Sequence, residues 1–501
     1  MKVLVANRGE IAVRILRACR ELGFPSVAVY SEVDCNARHV RFAQEAVCIG
    51  PANAAESYLN IGTIIAAARQ CGADAVHPGY GFLSENEAFA QAVESEGMVF
   101  IGPRPETIGQ MGNKLTARKI AEEAGLPVLH SLNIELSSTA QALDLCRELP
   151  FPLLVKAVAG GGGRGIREAN NFQELEQVIC TASQEAGAIF GNNAVYIEPL
   201  VRGARHIEVQ ILGDGHGKVL VLGERECSIQ RRRQKLIEEA PAPNLSNSLR
   251  QSIHKAAWQL GKWLNYHSLG TVEFLLDPAG NFYFIEVNPR IQVEHPVTEM
   301  VTGVDLVTAQ LQLAATGQLN YKQEQISVRG SAIECRIIAE DPECQFLPDT
   351  GVISDLAEPQ GPGVRVDSAL FVGLQVTSDY DSMLGKLIVW GETREAAVRR
   401  MGCALHEFRI SGVKTALPFL SQIIQSQAFL QGNFDTNYLD KHQPELLAQA
   451  DKVDGVLVAV ALCQWLQQYD QHHQSQPDNG SSRLSQLFTP WRMAALQEQV
   501  R

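Results

Sequence analysis

The chain has 501 residues, 45% of them hydrophobic and 20% charged; at roughly 150 residues per domain it holds several packed domains, which excludes a disordered tail or a disulfide-stapled miniprotein. Lys and Arg number 43 against 56 Asp and Glu, and the net charge of -13 argues against a nucleic-acid backbone as the partner. The 11 Cys form no C-x-x-C pair, so they read as reduced thiols of a cytoplasmic protein, most of them small core residues, rather than as a disulfide or zinc framework.

Met1 leads directly into the apolar run Val3 to Ala6, with no basic and then apolar leader, and no run of about 18 apolar residues occurs, so neither an export signal nor a membrane span is expected. Over 1–112, short apolar runs (Val3 to Ala6, Val27 to Tyr30, Ala75 to His77, Val99 to Ile101) alternate with helix-period segments, the pattern of a doubly wound α/β layer. Ile11, Ile15, Ala18 and Leu22 predict one apolar helical face, and Gly23 and Pro25 stop that helix. Residues 113–129 read as connecting helices, with a helix from Asn113 to Ala124 ending at Gly125 and Pro127.

Residues 130–203 read as a small unit built around a Gly-rich loop. After the strand-like Phe151 to Ala157 come Gly160 to Gly165, and Gly161, Gly162 and Gly163 leave backbone N–H groups free to face phosphate. No Gly-Lys-Ser/Thr follows, and Ile166 to Ala169 reads as extended, so a strand-loop-strand phosphate lid fits better than a P-loop. A flexible linker is the alternative for the glycines alone; Lys156, just before the loop, weighs against it.

Residues 204–446 read as the largest unit, with strands Ile207 to Leu212, Val219 to Leu222, Thr271 to Leu276 and Phe282 to Val287 among helices. Gln230 to Lys235 contains three consecutive Arg in an acidic chain and suits polyphosphate or a small oxyanion, with a solvated basic turn as the alternative. His206 and His77, taken alone, read more readily as structural histidines. Asp277-Pro278-Ala279-Gly280 suits a type I turn; with Pro278-Ala279 as the loop, Glu273 falls opposite Phe284 and diagonal to Glu286, whereas a bulged loop shifts that parity. Beyond the turn, Glu286, Asn288, Arg290, Gln292 and Glu294 alternate with Val287, Ile291 and Val293, so an extended segment presents one polar face. A solvated strand face is the alternative, but such a face seldom mixes carboxylates, an amide and a lone Arg so densely. Glu273, Glu286 and Asn288 suit Mg²⁺, which leaves Glu294 free to act as a base. Residues 447–501 read as a helix, with Val456 to Leu466 and Trp465 offering an apolar face either for docking or for packing back, then a polar Gln-rich linker.

At these residues the chain closely resembles the biotin carboxylase family, the ATP-grasp component of biotin-dependent carboxylases. The likeness covers about 1 to 446 and runs through Ala6-Asn7-Arg8-Gly9-Glu10-Ile11-Ala12, His77-Pro78-Gly79-Tyr80-Gly81-Phe82-Leu83-Ser84-Glu85-Asn86, the Gly loop, Glu239-Ala240-Pro241-Ala242-Pro243, and Asn288 through Met300. It implies an α/β ATP-grasp fold, α+β in its C-terminal part: an N-terminal Rossmann-like domain, a small mobile lid and a large C-terminal domain. It also implies ATP, Mg²⁺ or Mn²⁺ as a pair of ions, bicarbonate, and biotin carried on a partner.

By the same resemblance, Lys114 and Lys156 would hold nucleotide phosphates beside the Gly161 to Gly163 loop, Glu198 and Val201 the adenine edge, and Gln230 and His206 the rest of the nucleotide. Glu273, Glu286 and Asn288 would bind the metals. Bicarbonate would sit among Lys235, Gln234, Arg290 and the Val293 backbone, with Glu294 as its base. Arg336 would stabilise the biotin ureido oxyanion, and Tyr80 would flank the biotin ring. Three positions depart from the pattern: Arg233 where the family commonly has His, Pro199 where Lys is frequent, and Ala159 where many members have Gly.

The partners implied are a biotin carboxyl carrier protein or domain, a carboxyltransferase component and a second copy of the chain, with Arg17, Glu21 and Arg365 at the matching two-fold interface and Pro362 in place of a frequent aromatic. Neither nucleic acid nor membrane is implied. The only Met-Lys dipeptide is Met1-Lys2, so biotin is expected on another polypeptide. The carboxyl acceptor stays open among acetyl-CoA, another acyl-CoA, pyruvate and urea. Two other readings stand beside this one, an ATP-grasp ligase joining a carboxylate to an amine and a silent scaffold component; Arg290 to Glu294 with Arg336 weighs against the first, and intact Glu273, Glu286, Glu294 and Lys235 against the second.

Overall fold

Three residues of β1 (Val3–Val5) already show how the first sheet is covered. Val3 and Val5 pack with Ile11 and Ile15 of α1 (Gly9–Glu21), whereas Leu4 packs with Ile64 of α2 (Ile61–Gln70) and Phe89 of α3 (Glu87–Ser95) on the other face. With β2 (Ser26–Ser31), β3 (Glu45–Gly50), β4 (Ala75–His77) and β5 (Val99–Phe100) it forms a parallel sheet of order β3-β2-β1-β4-β5. This computed structural model describes residues 1–129, 149–158, 166–190 and 193–450, and also Leu143, Cys146, Arg147, Cys463 and Gln464. Gly161, Gly162 and Gly163 of the predicted phosphate loop, and all of the predicted docking tail beyond 450 save Cys463 and Gln464, lie outside the described residues.

The helix α1 departs from the single apolar face expected of it. Glu10 and Arg14 are buried along with Ile11 and Ile15, because α1 also packs against a helix at Leu306–Thr316 and two strands of the large sheet. It ends as its sequence predicts: Gly23 adopts φ 70°, which lets the Phe24 N–H donate to the Cys19 carbonyl at 2.8 Å. Asn113 caps a later helix, α4 (Lys114–Glu123), its side chain accepting from the N–H groups of Leu115 and Thr116.

A small antiparallel sheet follows, β7-β6-β8, from β6 (Leu153–Ala157), β7 (Ile166–Ala169) and β8 (Val195–Pro199). It has its own apolar core, in which Leu153, Val155 and Ile197 meet Leu175 and Ile179 of α5 (Phe172–Phe190).

The large sheet contains β9 (Arg205–Asp214), β10 (Val219–Arg231), β11 (Gln234–Ala240), β12 (His267–Leu276), β13 (Phe282–Asn288), β14 (Ser331–Ile338), β15 (Val364–Ser368) and β16 (Met383–Gly391). Its antiparallel order is β13-β12-β9-β10-β11-β14-β16-β15. Ile207, Val209, Val272 and Phe274 turn to one face, where they pack on α6 (Asn247–Trp263); the alternate residues His206, Glu208, Gln210, Thr271 and Glu273 turn to the other. That second face carries the site.

The β12–β13 register differs from the one expected. Asp277 N–H donates to the Asn281 carbonyl at 2.8 Å and Gly280 has φ 89°, so the loop is Pro278-Ala279-Gly280, one residue longer than a two-residue turn. Leu276 pairs with Phe282 and Phe274 with Phe284, but a bulge then places Glu273 directly opposite Glu286 rather than diagonal to it. One irregularity shifts the side-chain parity and the second restores it.

The extended segment expected through Glu294 is also shorter. β13 stops at Asn288, since Pro289 has no N–H to continue the ladder, and the chain turns into α7 (His295–Thr302), whose N-cap is Glu294. Near the far end, Leu446 is buried within the helix Tyr438–Ala450. All the Cys are free, but only four, Cys19, Cys146, Cys227 and Cys335, are buried, so the expectation that most are core residues fails. No helix among the described residues is long and apolar enough to cross a membrane.

Candidate active site

Arg225, fully buried on β10, organises the polar face of the large sheet. Its Nε donates to Glu208, its Nη1 to Gln210 Oε1 at 2.8 Å and Thr298 Oγ1 at 2.9 Å, and its Nη2 to Thr271 Oγ1 at 3.1 Å. A buried cation with this many acceptors fixes the side chains of three strands and one helix at once.

Lys235, near the start of β11, is the next centre. Its Nζ donates to Glu208 Oε2 at 2.5 Å, Glu294 Oε1 at 2.6 Å and Glu273 Oε1 at 3.0 Å. Burial acts to lower the ammonium pKa, but the three carboxylates hold it well above its ordinary value. Burial acts to raise Glu294, yet Lys235, Arg336 and Arg225 hold it well below the usual carboxylate range. Glu294 is therefore not free, as its place outside the metal set suggested, but clamped.

Arg336 completes the clamp. Its Nη2 donates to Glu294 Oε2 at 2.9 Å and its Nε to Glu238 Oε1 at 2.6 Å. Burial pushes the Glu238 carboxyl up to about 7, against the pull of Arg336. Glu238 stands directly opposite Glu334 across β11 and β14, and Glu238 Oε2 and both Glu334 oxygens have no hydrogen-bond partner among the described residues.

The expected metal ligands lie beside Lys235. Asn288 Nδ2 donates to Glu273 Oε1 at 2.8 Å, and His206 Nε2 lies 3.0 Å from Glu273 Oε2. Burial works to raise the Glu273 carboxyl, but Lys235 and His206 hold it low. Glu286 Oε2 lies 3.6 Å from Lys114 Nζ. Carboxylate and amide oxygens are the hard donors that Mg²⁺ or Mn²⁺ takes, so Glu273, Glu286 and Asn288 fit such an ion. Arg290 Nη2 donates to Asn288 Oδ1 at 3.2 Å, and its Nε lies 2.7 Å from Glu85 Oε1.

The remaining expected residues are spread around this cluster. Lys156 pairs with Glu198 between β6 and β8, with Arg118 Nη1 3.8 Å from the same carboxylate. Gln230 is buried and donates to the Cys227 carbonyl at 3.2 Å, whereas Gln234, where β11 begins, is exposed. Val201 is half-buried just after β8. The Tyr80 hydroxyl donates to buried Glu10, and the Val293 carbonyl accepts from Lys386 Nζ at 2.7 Å. Arg232 and Arg233 form the β10–β11 turn with φ of 48° and 65°, a left-handed pair that is strained for residues with a Cβ.

Lys235, His206, Glu273, Asn288, Arg290, Glu294 and Arg336 are thus brought into one cluster, with Lys114 and Glu286 alongside. Of the two histidines, His206 faces Glu273, while His77 is the structural one: fully buried, pushed down to about 3 by burial, its Nδ1 accepting from Gly79 N–H at 3.0 Å. Sequence reasoning missed Glu208, Arg225 and Glu238. The signal for Glu208 was there, in the alternation His206, Glu208, Gln210 within an otherwise apolar strand.

Residues 1–108 match the family described as biotin carboxylase, N-terminal domain, residues 113–322 the carbamoyl-phosphate synthase L chain, ATP binding domain, and residues 334–441 the biotin carboxylase C-terminal domain. A biotin carboxylase of Nostoc sp. is 51% identical over 440 residues, 88% of this chain and 98% of that protein. The chain belongs to the biotin carboxylase family. A pyruvate carboxylase subunit of Methanothermobacter thermautotrophicus is 46% identical over 452 residues, 90% of this chain and 92% of that one. The biotin carboxylase domain dimer of Hydrogenobacter thermophilus 2-oxoglutarate carboxylase, in complex with MgADP, ADP and bicarbonate, gives a TM-score of 0.86 at 47% identity, covering 89% of this chain and 98% of that one. The ATP-grasp biotin carboxylase fold read from the motifs is correct, and biotin carboxylases are ATP-dependent ligases.

Proposed function

We propose a division of labour for the reaction of this family, ATP-dependent carboxylation of biotin with bicarbonate, among the residues clustered at Lys235. The observation that carries it is Glu294, a buried carboxylate held by Lys235 on one oxygen and Arg336 on the other.

Bicarbonate is a poor electrophile, so ATP first activates it as carboxyphosphate. Lys235, Gln234, Arg290 and the Val293 N–H hold the anion, and Glu294 removes its proton. A carboxylate clamped by two cations is a weak base, but an anion that draws Lys235 toward itself loosens one side of that clamp as it binds. Lys114 and Lys156 meet the phosphates, Lys156 exchanging Glu198 for them, under the Gly161 to Gly163 loop. Glu198 and the Val201 backbone meet adenine, with Gln230 and His206 along the nucleotide. Glu273, Glu286 and Asn288 would hold the Mg²⁺ or Mn²⁺ ions, which when bound neutralise phosphate charge.

Carboxyphosphate then releases CO₂ beside biotin, which Tyr80 flanks. The phosphate left behind takes the ureido N–H proton, and Arg336 meets the developing oxyanion. Biotin arrives on a separate carrier protein or domain, and carboxybiotin goes on to a carboxyltransferase. The family's occurrence in pyruvate and 2-oxoglutarate carboxylases supports work within a biotin-dependent carboxylase. A homodimer is supported by the domain dimer of the Hydrogenobacter relative, and a cytoplasmic setting by the free Cys.

ATP hydrolysis by the purified chain is expected to require Mg²⁺ and bicarbonate and to rise with free biotin. An equal rate after rigorous removal of bicarbonate would overturn the assignment.

A further inference from the structure

Val293 is bracketed by two peptide units, and a buried side chain holds the carbonyl of each. The Gln292 carbonyl lies 2.7 Å from His295 Nδ1, and the Val293 carbonyl accepts from Lys386 Nζ at 2.7 Å. Both side chains are fully buried. A carbonyl only accepts, so His295 carries its proton on Nδ1; Nε2, 3.9 Å from Glu299 Oε2, has no hydrogen-bond partner among the described residues. Burial, with Lys386 and Arg14 nearby, keeps the ring neutral.

Lys386 lies in mid-strand on β16, opposite Arg336 of β14 and Asp367 of β15. Its neighbours on that strand, Leu387 and Val389, belong to the apolar core. Burying an ammonium is costly unless it is paired and hydrogen-bonded, and here Glu10 Oε1 lies 3.1 Å away and accepts from the Tyr80 hydroxyl as well. The other partner of this ammonium is a backbone carbonyl of the turn before Glu294, not a second carboxylate.

We infer that Lys386 and His295 are positioning residues for bicarbonate: together they fix the two peptide units around Val293 so that its N–H faces the anion and Glu294 follows in the correct orientation. Hydrogen bonding to the Gln292 carbonyl also polarises the amide whose N–H belongs to Val293, making it a better donor. Lys386 further ties this turn, through Glu10, to Tyr80, so the bicarbonate turn and the residue beside biotin share one buried ion pair.

The inference rests on the reading that bicarbonate lies against Val293, so the experiment tests that reading separately. Lys386→Met and His295→Leu should each raise the KM for bicarbonate about tenfold or more, with the KM for MgATP within about twofold of the parent. His295→Asn, whose amide N–H can replace Nδ1–H, should bring the bicarbonate KM back to within about threefold. Lys386→Met leaves Glu10 without its cation, so Glu10→Gln/Lys386→Met, which keeps an oxygen for Tyr80, should fold and retain the raised bicarbonate KM. Bicarbonate KM values near the parent's in the double variant and in His295→Leu, or an equal rise in both KM values, would overturn the inference. Arg290→Lys is the control: an unchanged bicarbonate KM there refutes the underlying site reading and the inference together, whereas a raised one beside unaffected Lys386 and His295 variants refutes the inference alone.

Discussion

Glu294 and Arg336 are joined at 2.9 Å, and the same guanidinium holds Glu238 at 2.6 Å, so the proposed base and a second carboxylate share one cation. Glu294 is held well below the usual carboxylate range, whereas burial pushes Glu238 up to about 7. The two carboxyl groups therefore occupy opposite protonation regimes a few ångströms apart, and one of them stays ionised to receive a proton.

Glu294→Gln keeps the size of the side chain and an oxygen for Lys235 or Arg336 but cannot take a proton. Turnover should fall by about two or more orders of magnitude, the range for a lost general base, with the KM for MgATP nearly unchanged. Steady-state assays at saturating bicarbonate check this.

Glu238 makes a prediction about stability and pH. Its folded-state value is raised, so between the ordinary carboxylate range and about 7 the folded protein binds more protons than the unfolded chain, and its contribution lowers stability as pH rises. Glu238→Gln removes that penalty while keeping an oxygen for Arg336. The variant should gain stability relative to the parent at pH 8, by about 1–3 kcal/mol, and little at pH 5. Denaturant melts at the two pH values measure the difference. Glu273 and Glu294, held low, act with the opposite sign: their contribution is present above the ordinary carboxylate range and is lost on acidification.

Arg225 touches no substrate in the proposed mechanism, yet its removal leaves the Glu208 carboxylate buried without its main cation. Arg225→Met should destabilise the protein by about 3–5 kcal/mol, and adding Glu208→Gln should recover part of the loss. A double-mutant cycle by thermal or chemical denaturation reads the coupling.

The fold was most legible where a local period settled the matter. Val3 to Val5 and Ala75 to His77 are strands as their apolar runs predict, and the helix beginning near Gly9 stops where Gly23 allows it. Long-range facts were less visible. The burial of Glu10 and Arg14 depends on strands more than 300 residues away in the chain, and Glu10 finds Lys386 only in the folded state. The candidate site was legible through its motifs, but the pairing of Glu273 with Glu286 depended on a loop one residue longer than expected and a bulge that compensates it. No composition signal marks a bulge in Tyr283 to Val287. Glu208 and Arg225 went unnoticed because polar residues within a strand look like ordinary solvent-facing positions until the neighbouring strands that bury them are known.

The facing carboxylates of β12 and β13 should respond differently to loss of charge. Glu286 keeps a quarter of its side chain exposed and its nearest cation is Lys114 at 3.6 Å, while the Glu273 side chain is only 6% exposed and is bonded by Lys235 and Asn288, with His206 at 3.0 Å. Glu286→Gln therefore removes a charge proposed above to meet the metal, without disturbing a buried network. It should raise the Mg²⁺ concentration for half-maximal rate about tenfold and leave the melting temperature within about 2 °C of the parent. Glu273→Gln removes one of the three anions that hold Lys235 and the one that faces His206, so it should impair metal dependence and bicarbonate dependence together and lower the melting temperature as well. Mg²⁺ titrations of the ATPase rate, run beside thermal melts of both variants, separate these outcomes; the same modest loss in both, with unaltered metal dependence, would refute the assignment of these carboxylates to the metal.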